Sequence, residues 1–226
     1  NTSQFGYYNI DYKSIIDFLK YGLFIKSSRT FIDDKLGISF GLRLDQDNFT
    51  KENSIFENIS PRIAISVMIS EDNKWKLNFA SGRYFKIPTY TSLGYKNSNN
   101  IFLNKNSKYT RSDHLVGGVE FNWTRSSRLT LEAFYKKYSN YPVSVVDRVS
   151  LANKGADFEV LGNEEITTIG KGKSYGLEFL YQQKLKNNFY GILSYTFFYS
   201  KFSGLDNIYL PSVWDNRHIL SFTGGY

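Results

Sequence analysis

The chain has 226 residues, 41% of them hydrophobic and 18% aromatic, with 18 Tyr and 19 Phe against 4 Pro and 1 Met. A mean hydropathy of −0.39 and the lack of any run of 18 apolar residues exclude a membrane-spanning helix. They leave a membrane barrel open, because there only alternate residues are apolar. The formal charge of +7 is scattered along the chain rather than gathered into a stripe or tail, so no nucleic-acid partner is expected. With no Cys there is no disulfide framework, thiol catalysis or cysteine-type zinc site.

In chain order, Tyr12, Ile15, Ile16 and Leu19 fall at helical spacing and predict a short turn over 12–20. From Leu19 onward the period is two. Leu19, Tyr21, Leu23 and Ile25 oppose Lys20, Gly22 and Lys26, with Phe24 on the polar side. Leu36, Ile38, Phe40, Leu42 and Leu44 oppose Lys35, Gly37, Ser39, Gly41 and Arg43. Ile63, Ile65, Val67 and Ile69 oppose Arg62, Ala64, Ser66 and Met68; Trp75, Leu77 and Phe79 oppose Lys76, Asn78 and Ala80. Leu115, Val119, Phe121 and Trp123 then oppose His114, Gly118, Glu120 and Asn122, and Leu129, Leu131, Ala133 and Tyr135 oppose Thr130, Glu132 and Lys136.

The stretch TTIGKGKSYGLEFLYQQ (167–183) contains Gly172-Lys173-Ser174, the end of a phosphate-binding loop, but the further Gly that such a loop requires is replaced by Thr167. A helix should also open after the Lys-Ser pair. Instead Tyr175, Leu177, Phe179 and Tyr181 share one face, opposite Ser174, Gly176, Glu178 and Gln182, so a glycine-lysine loop entering a strand is expected. Phe189, Leu193, Tyr195, Phe197 and Tyr199 alternate with Ser194 and Thr196, and a last segment runs from about Asn216 to Tyr226.

These segments are roughly ten to thirteen residues long, where globular strands have about five or six and a tilted strand needs about 9–11 to cross a bilayer. Trp75, Trp123, Tyr175, Phe189 and Tyr199 stand near their ends, where an aromatic girdle would lie. Links alternate in length. Short ones fall at 27–33, 71–74, 125–127 and 186–188, and long ones, rich in Asn, Ser, Lys, Tyr and Gly, at 46–58, 87–110, 140–172 and 201–215. The pattern predicts an all-β, antiparallel up-and-down transmembrane β-barrel over 1–226, with turns on one side of the membrane and loops on the other.

Several stretches carry a family resemblance: ISPRIAISVMISEDNKWKLNFASGRYFKIPTYTSLGY (59–95), RSDHLVGGVEFN (111–122), LEAFYKKYSNYP (131–142), KGKSYGLEFLYQQKL (171–185) and WDNRHILSFTGGY (214–226). In order, they resemble the barrels of TonB-dependent receptors, particularly those of the Bacteroidetes. The resemblance implies a barrel of 22 strands in the Gram-negative outer membrane, a plug inside it and energy delivered by the TonB complex. No plug or TonB-contacting box is recognisable, and such receptors continue beyond the point matching Tyr226, so the expectation is a barrel fragment of about nine strands. The implied function is energised uptake of a scarce ligand such as a siderophore, cobalamin, glycan or peptide. Implied partners are outer-membrane lipid, the TonB complex through the plug, and a surface lipoprotein.

No catalytic or metal site, and no cofactor, is expected. His114 and His218 lack partners at metal-ligand spacing and are expected to make structural hydrogen bonds. No serine has a nucleophile-elbow context. Glu120, Glu132 and Glu178 are expected to pair across strands with Lys76, Lys136 or Arg62. Ligand contact is expected at the extracellular loops, from Tyr90, Tyr95, Lys96, Tyr138, Tyr141, Tyr209 and Trp214, which combine stacking faces with polar groups. The alternatives are a smaller outer-membrane porin or barrel enzyme, and a soluble β-sheet binding module.

Overall fold

The computed structural model describes residues 13–50, 55–155 and 161–226. Each alternating segment forms a strand: β1 (Lys20–Phe31), β2 (Leu36–Asp47), β3 (Ile59–Met68), β4 (Trp75–Lys86), β5 (Thr110–Thr124), β6 (Ser127–Ser144), β7 (Ile166–Lys186), β8 (Phe189–Ser203) and β10 (His218–Gly225), with β9 (Tyr209–Pro211) as a short addition. Strands β1 to β8 pair antiparallel in chain order, β10 follows β8, and β9 pairs with the end of β8. The sheet is therefore an up-and-down partial barrel.

Short turns stack at one end of the sheet. Asn187 and Asn188, both with positive φ (51° and 63°), close the β7–β8 hairpin where Lys186 faces Phe189. Two left-handed residues match the twist of the flanking strands, and Asn tolerates that region better than most residues. The long connections gather at the opposite end, the loop end.

The pairing separates two faces. Leu23, Leu44 and Ile25, Leu42 on β1 and β2 continue as Ile65, Phe79 and Val67, Leu77 on β3 and β4. Val119, Leu131 and Phe179 carry the same face onto β5, β6 and β7. Many of these side chains, including Leu23, Ile25, Phe40, Phe79, Leu131 and Leu177, are exposed, an apolar area far larger than soluble monomers show. The other face is polar, and the hollows of the sheet open on it, so it is the concave, lumenal side.

Buried apolar residues accordingly lie among the loops and in the parts of β6, β7 and β8 toward the loop end. Phe49, Ile87, Leu93 and Tyr109 form a cluster, packed by Ile16, Phe18, Phe85 and Phe102. Asn104 clasps three segments: its amide donates to Ser92 O and Glu164 O, both at 2.7 Å, and its carbonyl oxygen accepts Ile166 N at 2.9 Å.

Several boundaries differ from expectation, among them the 201–215 link, since β8 runs to Ser203 and β9 lies within it. Residues 13–19 form no helical turn, while Tyr12 lies outside the described residues. The first link is only 32–35, since β1 continues through Ser27 and Arg29 on its register with β2. The expected loop 140–172 contracts to 145–165 because β6 and β7 extend past the apolar band, so Gly172-Lys173-Ser174 lies inside β7 and not in a loop.

Candidate functional site

Two neighbouring rows of side chains cross the concave face toward the loop end. One runs Arg62, Gly82, His114, Lys136, Ser174 and Ser200 over β3 to β8; the next, nearer the loops, runs Tyr84, Ser112, Tyr138, Gly172 and Phe202. Alternation puts both on the lumenal side, and the short turns fix the register that aligns them. The rows interlock. The Arg62 guanidinium lies 4.3 Å above the Tyr84 ring, Tyr84 and His114 rings are 4.5 Å apart, and His114 Nε2 is 2.6 Å from Ser112 Oγ. Lys136 Nζ stands 4.9 Å from the Phe134 ring.

A hollow of about 480 Å³ opens beside these rows, lined by Phe24, Lys26, Arg43, Arg62 and Tyr84 among others. Arg43 is held by Asp45 at 2.6 Å. Neither Lys26, Arg62 nor Lys136 has an ion-pair partner among the described residues. Toward the turns the sign reverses, with Glu120 between Lys76 (3.4 Å) and Arg128 (3.6 Å). Glu132 and Glu178 face each other across β6 and β7, so the expected cation partner holds for Glu120 alone. The wall thus offers unpaired cations and aromatic faces at its loop end.

The residues expected to bind ligand fall into separate places. Tyr138 and Tyr141 lie in β6 rather than in a loop, packed on Phe202 at ring distances of 5.1 and 4.5 Å; Trp214 joins them at 5.7 Å and its Nε1 donates to Ser200 Oγ at 3.2 Å. Tyr90 opens a single helical turn, α1 (Tyr90–Leu93), and meets Phe18 edge-on at 5.6 Å. Tyr95 O accepts from Leu103 N, and Lys96 Nζ lies 4.5 Å over Phe102, both bracing the 87–109 loop. Tyr209 begins β9 on the outward face, beneath Lys173 at 5.0 Å. His218 shares a 2.7 Å hydrogen bond with the Tyr195 hydroxyl. Among the described residues no group of three His, Asp or Glu could hold a metal ion.

Sequence reasoning misses Arg62, Tyr84, Lys136 and Phe202 as a group, because they are separated along the chain by whole hairpins. The signal lies in the turns: counting outward from each one brings Arg62, His114 and Lys136 onto a single line.

A family model described as TonB dependent receptor-like, beta-barrel, matches residues 1–226, the full length of the chain. The chain belongs to this TonB-dependent receptor barrel family. Receptors of this kind are Gram-negative outer-membrane transport proteins. Similar solved structures include the outer membrane transporter YddB from Escherichia coli (TM-score 0.63, 11% identity, covering 92% of this chain and 31% of that one). The ferripyoverdine receptor of the outer membrane of Pseudomonas aeruginosa bound to ferripyoverdine is another (0.61, 13%, 91% and 25%). The ferric-catecholate import receptor Fiu from K12 E. coli is a third (0.62, 11%, 92% and 32%). The TonB-dependent receptor barrel chain therefore spans about a quarter to a third of their lengths, and the likeness is one of fold. No curated protein matches it.

Proposed function

We propose that the chain is part of the wall of an active-transport receptor in the outer membrane, which binds a scarce ligand at the loop end and admits it with energy delivered through TonB. In this reading a plug outside the chain occupies the lumen, and the chain supplies wall and loop surface without catalysis. The favoured ligand is anionic and carries flat rings or chelating arms, as a ferric siderophore does. The observation that carries this is the placing of Arg62 and Lys136 beside Tyr84 and Tyr138 on the concave face. Cations without carboxylate partners beside half-buried tyrosine rings favour charge-assisted contact and stacking together. Similar receptors are named for ferripyoverdine and ferric catecholates, which are ligands of this chemical kind.

The test is uptake of radiolabelled ferric siderophores by cells producing the full-length receptor. Uptake should require TonB, and Arg62→Gln with Lys136→Gln should raise the KM for an anionic siderophore about tenfold or more while sparing a neutral one. Uptake unaffected by loss of TonB would instead indicate a passive channel.

A further inference from the structure

The outward face carries a row that the transport reading does not use. Directly in register across five strands stand Arg83, Asp113, Lys137, Lys173 and Lys201. One pair step toward the turns, the same strands carry Ser81, Leu115, Tyr135, Tyr175 and Tyr199. The three tyrosines stack in sequence, with ring centroids 6.3 and 5.4 Å apart, and form a girdle above the apolar band. A row two residues farther along lies about 7 Å beyond that girdle, at the depth of lipid headgroups.

Charge along the row is unbalanced. Asp113 is engaged by Arg83 at 2.8 Å and Arg111 at 2.6 Å. Lys137, Lys173 and Lys201 have no carboxylate at ion-pair distance among the described residues, and Lys171 adds a fourth ammonium on the same face of β7. Neighbouring strands are about 4.8 Å apart, so three ammonium stems start within about 10 Å of one another. Like charges directly opposite each other destabilise a sheet unless an anion lies between them. The Tyr209 ring lies under Lys173 at 5.0 Å and borders the row on the loop side.

We infer that Lys137, Lys173 and Lys201 form a site on the outer wall for the phosphate groups of a phosphorylated glycolipid in the outer leaflet, whose acyl chains lie along the apolar band below the tyrosines. Several phosphate oxygens can accept from several ammonium groups at once. An acidic protein partner would answer the charge but not the position, since the row adjoins the girdle directly on a face that continues into lipid-exposed Leu115 and Leu177. This inference rests on the proposed outer-membrane transport function.

The experiment reconstitutes the full-length receptor in phosphatidylcholine nanodiscs with a bis-phosphorylated bacterial glycolipid or its dephosphorylated form, and counts glycolipid retained per receptor by native mass spectrometry. The wild type should prefer the phosphorylated form by about tenfold or more. Lys137→Gln/Lys173→Gln/Lys201→Gln should abolish the preference, whereas the same three changed to Arg, or Lys184→Gln/Lys186→Gln at the turn end, should keep it. Unchanged heat-modifiable mobility on gels shows that each variant is folded. The inference is overturned by a wild type with no preference, by a triple Gln variant that retains it, or by displacement of the glycolipid by millimolar inorganic phosphate, which would mark a site for free phosphate. It also falls if the preference depends on a co-purifying acidic protein. Failure of the receptor to fractionate with outer membranes would sink the transport reading instead.

Discussion

The ring of Phe202 lies across Gly172 from the adjacent strand, so near that a Cβ on Gly172 would collide with Phe202 Cε1. Phe202 cannot swing aside, being buried against Tyr138, Tyr141 and Trp214. The glycine of the Gly-Lys-Ser triplet is therefore a packing requirement. Gly172→Ala should destabilise the folded barrel by about 1–3 kcal/mol, read from urea unfolding of the full-length receptor. Adding Phe202→Leu should recover part of the loss. A Gly172→Ala variant as stable as wild type would show that the ring does not occupy that space.

Asn104→Ala tests whether the loops move together. The substitution leaves Glu164 O and Ile166 N without their Asn104 partner, at about 1–3 kcal/mol for each group so deprived, whereas Ser92 O keeps the bond from Tyr95 N. Ile166 begins β7 and Leu93 sits in the loop core, so the opening should be local to the loop end. Hydrogen exchange should quicken at 92–106 and 161–167 with little change at Leu115–Phe121 in β5. Acceleration confined to 103–106 would mean that the segments are not clasped.

The strands are legible in the sequence because lipid on one face and water on the other impose a period of two. That signal stops where lipid stops. Residues 139–144 and 166–172 continue β6 and β7 beyond the apolar band, and there Asn140 with φ 55° and register shifts at Tyr141 break the alternation, so they read as loop. For that reason the sequence shows the chemistry of Tyr138 and Tyr141 but not their place in a strand. The lumenal rows are hidden differently. Arg62, His114 and Lys136 each look like one polar residue in an alternating strand, and only the register, set by turns such as Asn187-Asn188, aligns such residues across the sheet. β9, at three residues, is too short to show any period.

The β1–β2 turn holds a residue poorly suited to its backbone. Ile32, Asp33 and Asp34 all have positive φ, at 56°, 50° and 64°. Asp tolerates this region through local hydrogen bonding, but a β-branched side chain is crowded there, at about 1–2 kcal/mol. Ile32 is exposed, so replacing it loses little packing. Ile32→Asn should stabilise the receptor by about 0.5–1 kcal/mol, seen as a higher urea midpoint with unchanged slope. A lower midpoint would mean that the Ile32 side chain makes contacts worth more than the strain.

The 145–165 loop should respond to acid through one lysine. Lys154 Nζ lies 2.5 Å from both Asp147 Oδ2 and Glu164 Oε1. Burial alone would push this ammonium down, but hydrogen bonds to the two carboxylates outweigh it and raise it above its ordinary 10.5. The hydrogen bond from Lys154 in turn holds Asp147 below its ordinary 3.8. A depressed acid stabilises fully above its unfolded value and loses that contribution as pH falls through the folded one; a raised base does so below its unfolded value and loses it as pH rises through the folded one. The tie is thus intact between about pH 4 and pH 10 and loosens on either side. Amides anchored near it, Asp147 N on Ser144 Oγ and Val145 N on Glu165 O, should lose exchange protection progressively as pH falls below about 4, after correction for the intrinsic rate. Lys154→Met should lower their protection at about pH 6 and flatten this acid dependence. An acid response that survives Lys154→Met would place its origin elsewhere in the loop.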